Sequence, residues 1–241
     1  MTAPRKFGPA ERVTVAVPSG RLLDAAMRIL EAAGYLGKDA WRDSRRLIVQ
    51  GADPGLMRCL IAKPADLLTY VEHGAADLGI AGKDVLLEQG RDVYELVDLG
   101  FGTCRGVLAF PARLATVWEG LTPLRIATKY PRITERHFGA QGRPVEIIPM
   151  NGTVELAPLV GLADGIVDLV MSGRTLRENG LIEVAELFQS TARLVVNRIS
   201  LRSRAASVAG IIERVRETVG RPADGAAEGS EPTVKGRTPS A

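Results

Sequence analysis

Short apolar runs alternate along this chain with longer segments in which apolar residues recur at helical spacing. The clearest helical segment, residues 22–33, has Leu22, Ala26, Ile29 and Leu30 on one face and stops at Gly34. We predict strands over residues 12–17, 46–49, 77–81, 105–110, 124–128, 145–148, 166–171 and 194–201. We predict helices over residues 22–33, 64–74, 82–88, 131–138, 153–162 and 205–219. This alternation predicts an α/β architecture with mainly parallel sheets.

Two of the predicted strands end in a hydroxylated residue, a glycine and an arginine. Ser172, Gly173, Arg174 and Thr175 follow the strand over 166–171, and Pro18-Ser-Gly-Arg21 follows the strand over 12–17. A turn of this kind that opens into a helix offers free N–H groups and the positive end of the helix dipole to a phosphate. One such turn fits an ordinary helix cap equally well. Two of them favour a ligand with phosphates at both ends, or two phosphorylated ligands.

Composition narrows the possible classes of protein. The 241 residues carry a formal net charge of +3, a mild excess that suits anionic small molecules. No Lys/Arg block is interleaved with aromatic residues, so we expect no nucleic-acid partner. The apolar runs are too short to span a bilayer and no secretory signal is visible, so we expect a cytoplasmic protein without a membrane partner. Cys59 and Cys104 suggest neither a disulfide scaffold nor a metal site, and residues 221–241 have the composition of a disordered tail.

Five motifs follow one another in a fixed order: VPSGRL (17–22), residues 66–84, GFGTCR (100–105), IATKYP (126–131) and NGTVE (151–155). The spacing from Glu155 through Gly161 and Asp168 to residues 172–176 adds a sixth signature. In these motifs, which span about residues 12–202, the sequence resembles the ATP phosphoribosyltransferases, the first enzymes of histidine biosynthesis. It departs from their pattern at Lys63, where we expect arginine, and at Gly106, where a bulkier residue is usual.

The resemblance implies a two-lobed fold like that of type II periplasmic binding proteins, with the active site in the cleft between the lobes. Lobe I would comprise residues 12–103 plus about 190–220, and lobe II residues 104–189. The implied reaction joins N1 of ATP to C1 of the ribose in 5-phosphoribosyl 1-pyrophosphate and releases pyrophosphate. Because N1 of adenine carries a free lone pair near neutral pH, no strong general base is needed, and Mg²⁺ would arrive on the substrate phosphates.

The same resemblance assigns roles to individual residues. The phosphoribosyl pyrophosphate side would consist of Thr153, Asp168, Ser172, Gly173, Arg174 and Thr175. The ATP side would consist of Ser19, Gly20, Asp66, Gly79 and Gly82. Arg21 and Arg45 would stabilise the leaving pyrophosphate, and which of Arg45 and Arg46 faces the cleft stays open. Asp168 could instead be an ordinary strand-end carboxylate, and Glu155 either a partner of a helix dipole or a cleft residue.

The resemblance also implies a partner. The chain looks like the short form of the family, which works with a regulatory subunit similar to histidyl-tRNA synthetase and forms a homodimer when alone. Two other classes remain possible from the residues: a non-catalytic solute-binding protein of the same fold, and a tetrapyrrole-forming deaminase. The paired anion turns count against the first. The absence of a cysteine in a suitable glycine-rich loop counts against the second.

Overall fold

The computed structural model describes residues 12–42 and 46–220; Arg45 and the predicted tail lie outside this range. The strands are β1 (Val13–Pro18), β2 (Ile48–Gln50), β3 (Met57–Ala62), β4 (Leu78–Gly82), β5 (Val93–Asp98), β6 (Cys104–Pro111), β7 (Leu124–Thr128), β8 (Val145–Pro149), β9 (Gly165–Val170), β10 (Leu181–Ser190) and β11 (Ala192–Asn197). The helices are α1 (Leu23–Ala32), α2 (Pro64–Glu72), α3 (Lys83–Gln89), α4 (Pro131–Ala140), α5 (Leu156–Leu159), α6 (Arg174–Glu178), α7 (Ser200–Ser203) and α8 (Ala205–Gly220), with one 3₁₀ turn at Trp118–Gly120.

The strands form two sheets. The first sheet has the order β2-β3-β1-β4-β11-β5 and the second β10-β6-β9-β7-β8. Among the described strands, four pairs are parallel, β1–β3, β1–β4, β7–β8 and β7–β9, and five pairs are antiparallel. The expectation of mainly parallel sheets is therefore wrong, whereas the α/β class is confirmed. β6 and β11 each enter their sheet directly from the other sheet, without a crossover helix, and both pair antiparallel with both of their neighbours. β2 and β3 are joined by a loop and are antiparallel as well.

Helices cover both faces of the first sheet. On one face α1 and α8 pack together, and Met27, Leu30 and Ile211 are buried there. On the other face Leu67 and Val71 of α2 pack over Gly79 in β4, where an added Cβ would lie 2.7 Å from Val71. Because Gly79 has no side chain, α2 can lie close to the sheet.

The chain crosses from one sheet to the other at residues 99–103 and again at Thr191. These two crossings are bonded to each other, since Leu99 N donates to Ala192 O at 2.9 Å and Ala192 N donates to Phe101 O at 2.9 Å. The Asp98 carboxylate also accepts the Thr191 hydroxyl at 2.7 Å. We interpret the two sheets as the two lobes, with these paired crossings as the connection between them.

Three strands were not predicted from the sequence: β3, β5 and β10. β5 and β10 lie at sheet edges. β10 contains two leucines and two glutamates, which favour helices when judged locally. In the opposite direction, the helix predicted over 153–162 shrinks to the four residues of α5, and Thr153 lies in the loop before it. No helix in the described part of the chain is long and apolar enough to cross a membrane.

Candidate functional site

The carboxyl ends of β1, β3 and β4 meet at one edge of the first sheet because these strands run in parallel. The turns that follow them enclose a cavity of about 100 Å³. Its lining is Pro18, Ser19, Arg21, Leu22, Pro64, Leu67, Ala81, Gly82, Asp84 and Val85. Three residues predicted from the sequence, Ser19, Arg21 and Gly82, therefore lie together, although Gly82 comes from a separate segment.

Gly20 gives the first turn its shape. Its φ of +82° lies in the left-handed region that glycine adopts without strain. The turn directs Arg21 toward the crossing between the sheets, where the guanidinium donates to Gly102 O at 3.1 Å and lies 3.7 Å from Cys104 Sγ. The neighbouring Leu22 fills the space above Gly102, where an added Cβ would lie 2.3 Å from its Cδ2.

Asp84 is a buried carboxylate at the same edge, and its hydroxyl partners come from β10 and from the residues after β7, both in the second sheet. It accepts the Ser190 hydroxyl at 2.8 Å and the Tyr130 hydroxyl at 3.4 Å. Ser190 Oγ in turn accepts the Asp84 backbone N–H at 3.0 Å. Burial and the nearby Asp84 charge raise the pKa of Tyr130, so this hydroxyl stays protonated and acts as a donor.

Cys104 lies beside this cluster and is buried. Burial and the Asp84 charge raise the pKa of its thiol, while Arg21 opposes them in part. A thiol that resists ionisation is a poor nucleophile, so the structure supports a packing role for Cys104 at the crossing.

A second cavity, of about 330 Å³, lies at the carboxyl end of β9 in the second sheet. It is lined by Glu155, Asp168, Leu169, Val170, Met171, Ser172, Gly173, Arg174, Thr175 and Leu176. Gly173 has a φ of +70°, the same left-handed conformation as Gly20. The turn predicted from the sequence thus faces a cavity together with Asp168 and Glu155, and Glu155 is also the N-cap residue of α5.

Asp168 has few partners for a buried carboxylate. It accepts the Leu169 N–H at 2.8 Å, and Lys129 Nζ lies 3.9 Å away. Burial raises the pKa of Asp168 above its ordinary value; the Leu169 N–H and Lys129 oppose this shift, and Glu155 adds to it. Its oxygens are therefore available to a ligand, unlike those of Asp84.

The arginines of the second turn are arranged differently from what the sequence suggests. Arg174 is exposed and its guanidinium pairs with Glu178 one turn along α6, at 2.7 Å. Arg177, which was not predicted from the sequence, donates to Ser172 O at 3.1 Å and so stabilises the turn. Its position four residues after Gly173, one helical turn away, is the signal that could have identified it.

The remaining predicted residues are spread around these two cavities. Asp66 is exposed in the first turn of α2, next to Pro64 of the first cavity, and Thr153 is exposed in the loop before Glu155. Gly79 lies between β4 and α2, so we treat it as a packing position rather than a ligand contact. Arg45 lies outside the described residues, so the choice between it and Arg46 stays open.

Comparison with known proteins gives consistent matches over most of the chain. A family model described as ATP phosphoribosyltransferase (HisG) matches residues 63–217. The ATP phosphoribosyltransferase of Thermoanaerobacter sp. (strain X514) is 48% identical over 209 residues, which is 87% of this chain and 97% of the relative. That of Bacillus subtilis (strain 168) is 50% identical over 192 residues, 80% of this chain and 88% of the relative.

Solved structures extend the comparison to the fold. The ATP phosphoribosyl transferase (HisG:HisZ) complex from Thermotoga maritima contains a chain 35% identical to this one, with a TM-score of 0.72 over 86% of this chain and 98% of that one. The alkanesulfonate-binding protein SsuA from Xanthomonas axonopodis pv. citri is only 13% identical, with a TM-score of 0.52 over 86% of this chain and 73% of that one. This second likeness shows the fold alone, and it confirms the binding-protein-like architecture expected from the sequence.

Proposed function

Because this chain belongs to the ATP phosphoribosyltransferase family, we propose that its two cavities hold the two substrates of that reaction. The reaction is the first step of histidine biosynthesis: N1 of ATP attacks C1 of 5-phosphoribosyl 1-pyrophosphate, and pyrophosphate leaves. The enzyme is thus a pentosyltransferase. The observation that supports the assignment of sites best is the second cavity, where a left-handed glycine turn and an uncommitted buried carboxylate lie together.

We assign the second cavity to the phosphoribosyl group. The Ser172 and Thr175 hydroxyls and the backbone around Gly173 would bind the 5′-phosphate, and the Asp168 carboxylate would accept hydrogen bonds from the ribose hydroxyls. Arg174 would leave Glu178 when a phosphate arrives, because its present ion pair is exposed and worth little. Thr153 belongs to the margin of this site.

We assign the first cavity to the ATP side, with Ser19, Gly20, Gly82 and Asp66 around it. At about 100 Å³ it is smaller than the cavities that hold whole small-molecule ligands, so most of the nucleotide would lie in the cleft outside it. Arg21 is fixed at this edge, and its planar guanidinium suits the oxygens of the departing pyrophosphate. Arg45 is proposed for the same role on the resemblance alone.

Mg²⁺ fits the chemistry of this site as an ion that arrives bound to the substrate phosphates. The Asp168 and Glu155 carboxylates that line the second cavity are hard oxygen donors of the kind this ion prefers. Among the described residues there is no cluster of three or more His, Cys, Asp or Glu side chains that could hold a metal ion. When bound, Mg²⁺ would neutralise charge on the pyrophosphate.

This reaction needs no strong general acid or base. The lone pair of N1 attacks directly, and the main barrier is separation of pyrophosphate from a sugar carbon that becomes cationic. The protein therefore contributes by aligning N1, C1 and the leaving oxygen and by stabilising the pyrophosphate charge with Arg21. Asp168 would also favour the positive charge that develops on the ribose.

An absorbance assay of adduct formation tests the proposed activity. Purified full-length chain is mixed with ATP, 5-phosphoribosyl 1-pyrophosphate and Mg²⁺, and the controls omit each substrate in turn. We expect an ultraviolet change that needs both substrates and is accompanied by stoichiometric pyrophosphate release. Pyrophosphate release without adduct would contradict the transfer reaction.

We propose that the chain assembles as a homodimer when alone and with a regulatory subunit similar to histidyl-tRNA synthetase in the cell, in the cytoplasm where its substrates are made. The complex named for the Thermotoga maritima structure supports such a partner. We expect low activity and weak histidine inhibition for the isolated chain, and both should increase when the partner is added. Strong histidine inhibition of the isolated chain would contradict this.

A further inference from the structure

Helices α3 and α4 cap each other across the two sheets. Helix α3 follows β4 of the first sheet, and α4 follows β7 of the second sheet. The Glu88 side chain of α3 accepts the backbone N–H of Arg132 through Oε1 at 3.0 Å and that of Ile133 through Oε2 at 3.0 Å. These are amides of the first turn of α4, which have no partners within their own helix.

Helix α4 has no cap of its own. Its N-cap residue is Tyr130, whose side chain makes no capping bond, and Pro131 at the first helical position has no N–H to satisfy. Thr134 N is satisfied by Tyr130 O at 2.9 Å, so Glu88 bonds the two amides that would otherwise remain open. A carboxylate at this end also interacts favourably with the helix dipole.

The reverse contact is made at the end of α3. The guanidinium of Arg132 donates to Gln89 O at 2.5 Å, and that of Arg136 donates to Leu87 O. Gly90 ends α3 with a φ of +58°, and an added Cβ there would lie 3.1 Å from the Arg132 guanidinium. The terminal carbonyls of α3 thus receive cationic donors from α4, which suits the negative end of a helix dipole.

We propose that this reciprocal cap, formed by Glu88, Arg132 and Arg136, is a positioning device that fixes the angle between the two sheets. The inference rests on the proposed function in one respect: the two substrates bind on opposite sheets, so their reacting atoms meet only at one setting of that angle. Glu88 lines neither cavity, so it acts through the helices.

The two sheets are also joined by the paired crossings and by the bond of the Ser190 hydroxyl to Asp84 at 2.8 Å. The cap adds contacts about one helical turn further along α3, at Glu88 and Gln89. Because it is a further point of attachment away from the crossings, the cap restricts rotation of one sheet about them. Loss of the cap would let the sheets adopt a range of angles, which lowers the fraction of molecules with aligned substrates.

The test compares Glu88→Ala with Glu72→Ala in the full-length chain. Glu72 is a matched control because its carboxylate also accepts a backbone N–H, from Asp92 at 2.9 Å, and pairs with Arg91 at 2.9 Å, but all within the first lobe. We expect Glu88→Ala to speed hydrogen exchange at the Arg132 and Ile133 amides about tenfold. We also expect it to lower the single-turnover rate about tenfold while each substrate's Kd, measured separately, changes less than about twofold.

Glu72→Ala should lower Tm without changing the single-turnover rate. Arg136→Ala, which leaves the Glu88 bonds in place, should lower the rate in the same direction by a smaller factor. Unchanged exchange at Arg132 and Ile133 in Glu88→Ala, or equal rate effects of Glu88→Ala and Glu72→Ala, would overturn the proposal. Hydrogen exchange needs no turnover, so it reports on the cap even if the parent chain fails the activity assay.

Discussion

The two cavity edges of this protein contain the same kinds of residue in opposite states. At the edge of the first sheet, Arg21 is bonded to the crossing and Asp84 has hydroxyl partners from Ser190 and Tyr130. At the edge of the second sheet, Arg174 is exposed, and among the described residues Asp168 has the Leu169 N–H at 2.8 Å and Lys129 at 3.9 Å but no hydroxyl partner. A Ser-Gly-Arg turn at a strand end therefore does not determine the contacts of its arginine: one arginine bonds the crossing between the sheets, and the other is exposed on its own helix.

The largest effect should come from Arg21→Ala. If the first turn both frames the cleft and stabilises the leaving pyrophosphate, removing this guanidinium should lower the single-turnover rate about 100-fold. Arg21→Lys retains the charge but not the planar fork, and should recover only part of the rate. The comparison would fail if Arg174→Ala reduced the chemical rate as strongly as Arg21→Ala.

Thr175→Ala tests the role of the turn at the edge of the second sheet. Its hydroxyl is proposed to bond a charged phosphate, and loss of such a bond costs about 1.5–3 kcal/mol, which is at least tenfold in Kd. Calorimetry should show weaker binding of 5-phosphoribosyl 1-pyrophosphate with little change for ATP. Ser19→Ala at the other edge is the control, and it should not weaken the ribose substrate. Equal losses for both substrates in Thr175→Ala would refute the assignment.

The sequence predicts the turns and strands at both cavity edges, but it does not predict that the arginine and carboxylate of the two edges have different contacts. Both glycine turns and most of the strands around them follow from local patterns, because a turn and an apolar run are local features. The states of Arg21 and Asp84 depend on contacts with residues far along the chain: 81 positions separate Arg21 from Gly102, and 106 separate Asp84 from Ser190. No periodicity within a segment reports such pairs.

Gly106 is a second case in which a contact between distant residues cannot be predicted from the local sequence. Its departure from the family pattern looks unimportant in the sequence, yet the ring of Phe188 occupies the space where its side chain would be. Phe188 also contacts Tyr130 edge to face at 6.3 Å between ring centroids. The small residue thus belongs to the packing that holds Tyr130 toward Asp84.

Gly106→Ala should therefore disturb the packing of Phe188 against Tyr130, near Asp84, and lower the stability of the fold. An added Cβ would lie 2.0 Å from the Phe188 ring, and overpacking of this kind costs about 1–3 kcal/mol. We expect Tm to fall by about 2–9 °C in thermal unfolding. Gly139→Ala in α4 is the control, since no atom lies within 4 Å of its added Cβ and alanine favours helices by about 0.5–1 kcal/mol. A neutral Gly106→Ala would mean that the ring is free to move away.

The smallest expected effect concerns pH and the uncommitted carboxylate. Because burial raises the pKa of Asp168 in the fold, the folded chain binds its proton more tightly than the unfolded chain does. The stability that this group contributes is therefore present at low pH and is lost as pH rises through its folded pKa. Asp168→Asn retains the acceptor for Leu169 N–H and removes the buried charge, so it should raise Tm at pH 7 by about 2 °C while abolishing tight ribose-substrate binding.

Asp164, at the other end of β9, is the control with the opposite sign. Burial acts to raise the pKa of its carboxyl, but the hydrogen bonds from Arg125 together lower it below the ordinary value. Asp164 thus stabilises the fold at neutral pH, and that contribution is lost as pH falls through its folded pKa. Asp164→Asn should lower Tm at pH 7. Asp168→Asn should approach the parent as pH is lowered from 7 to about 4, whereas Asp164→Asn should approach it only as pH falls below about 4. If Asp168→Asn were the destabilised variant at pH 7, Asp168 would be a committed residue like Asp84, and the contrast between the two edges would disappear.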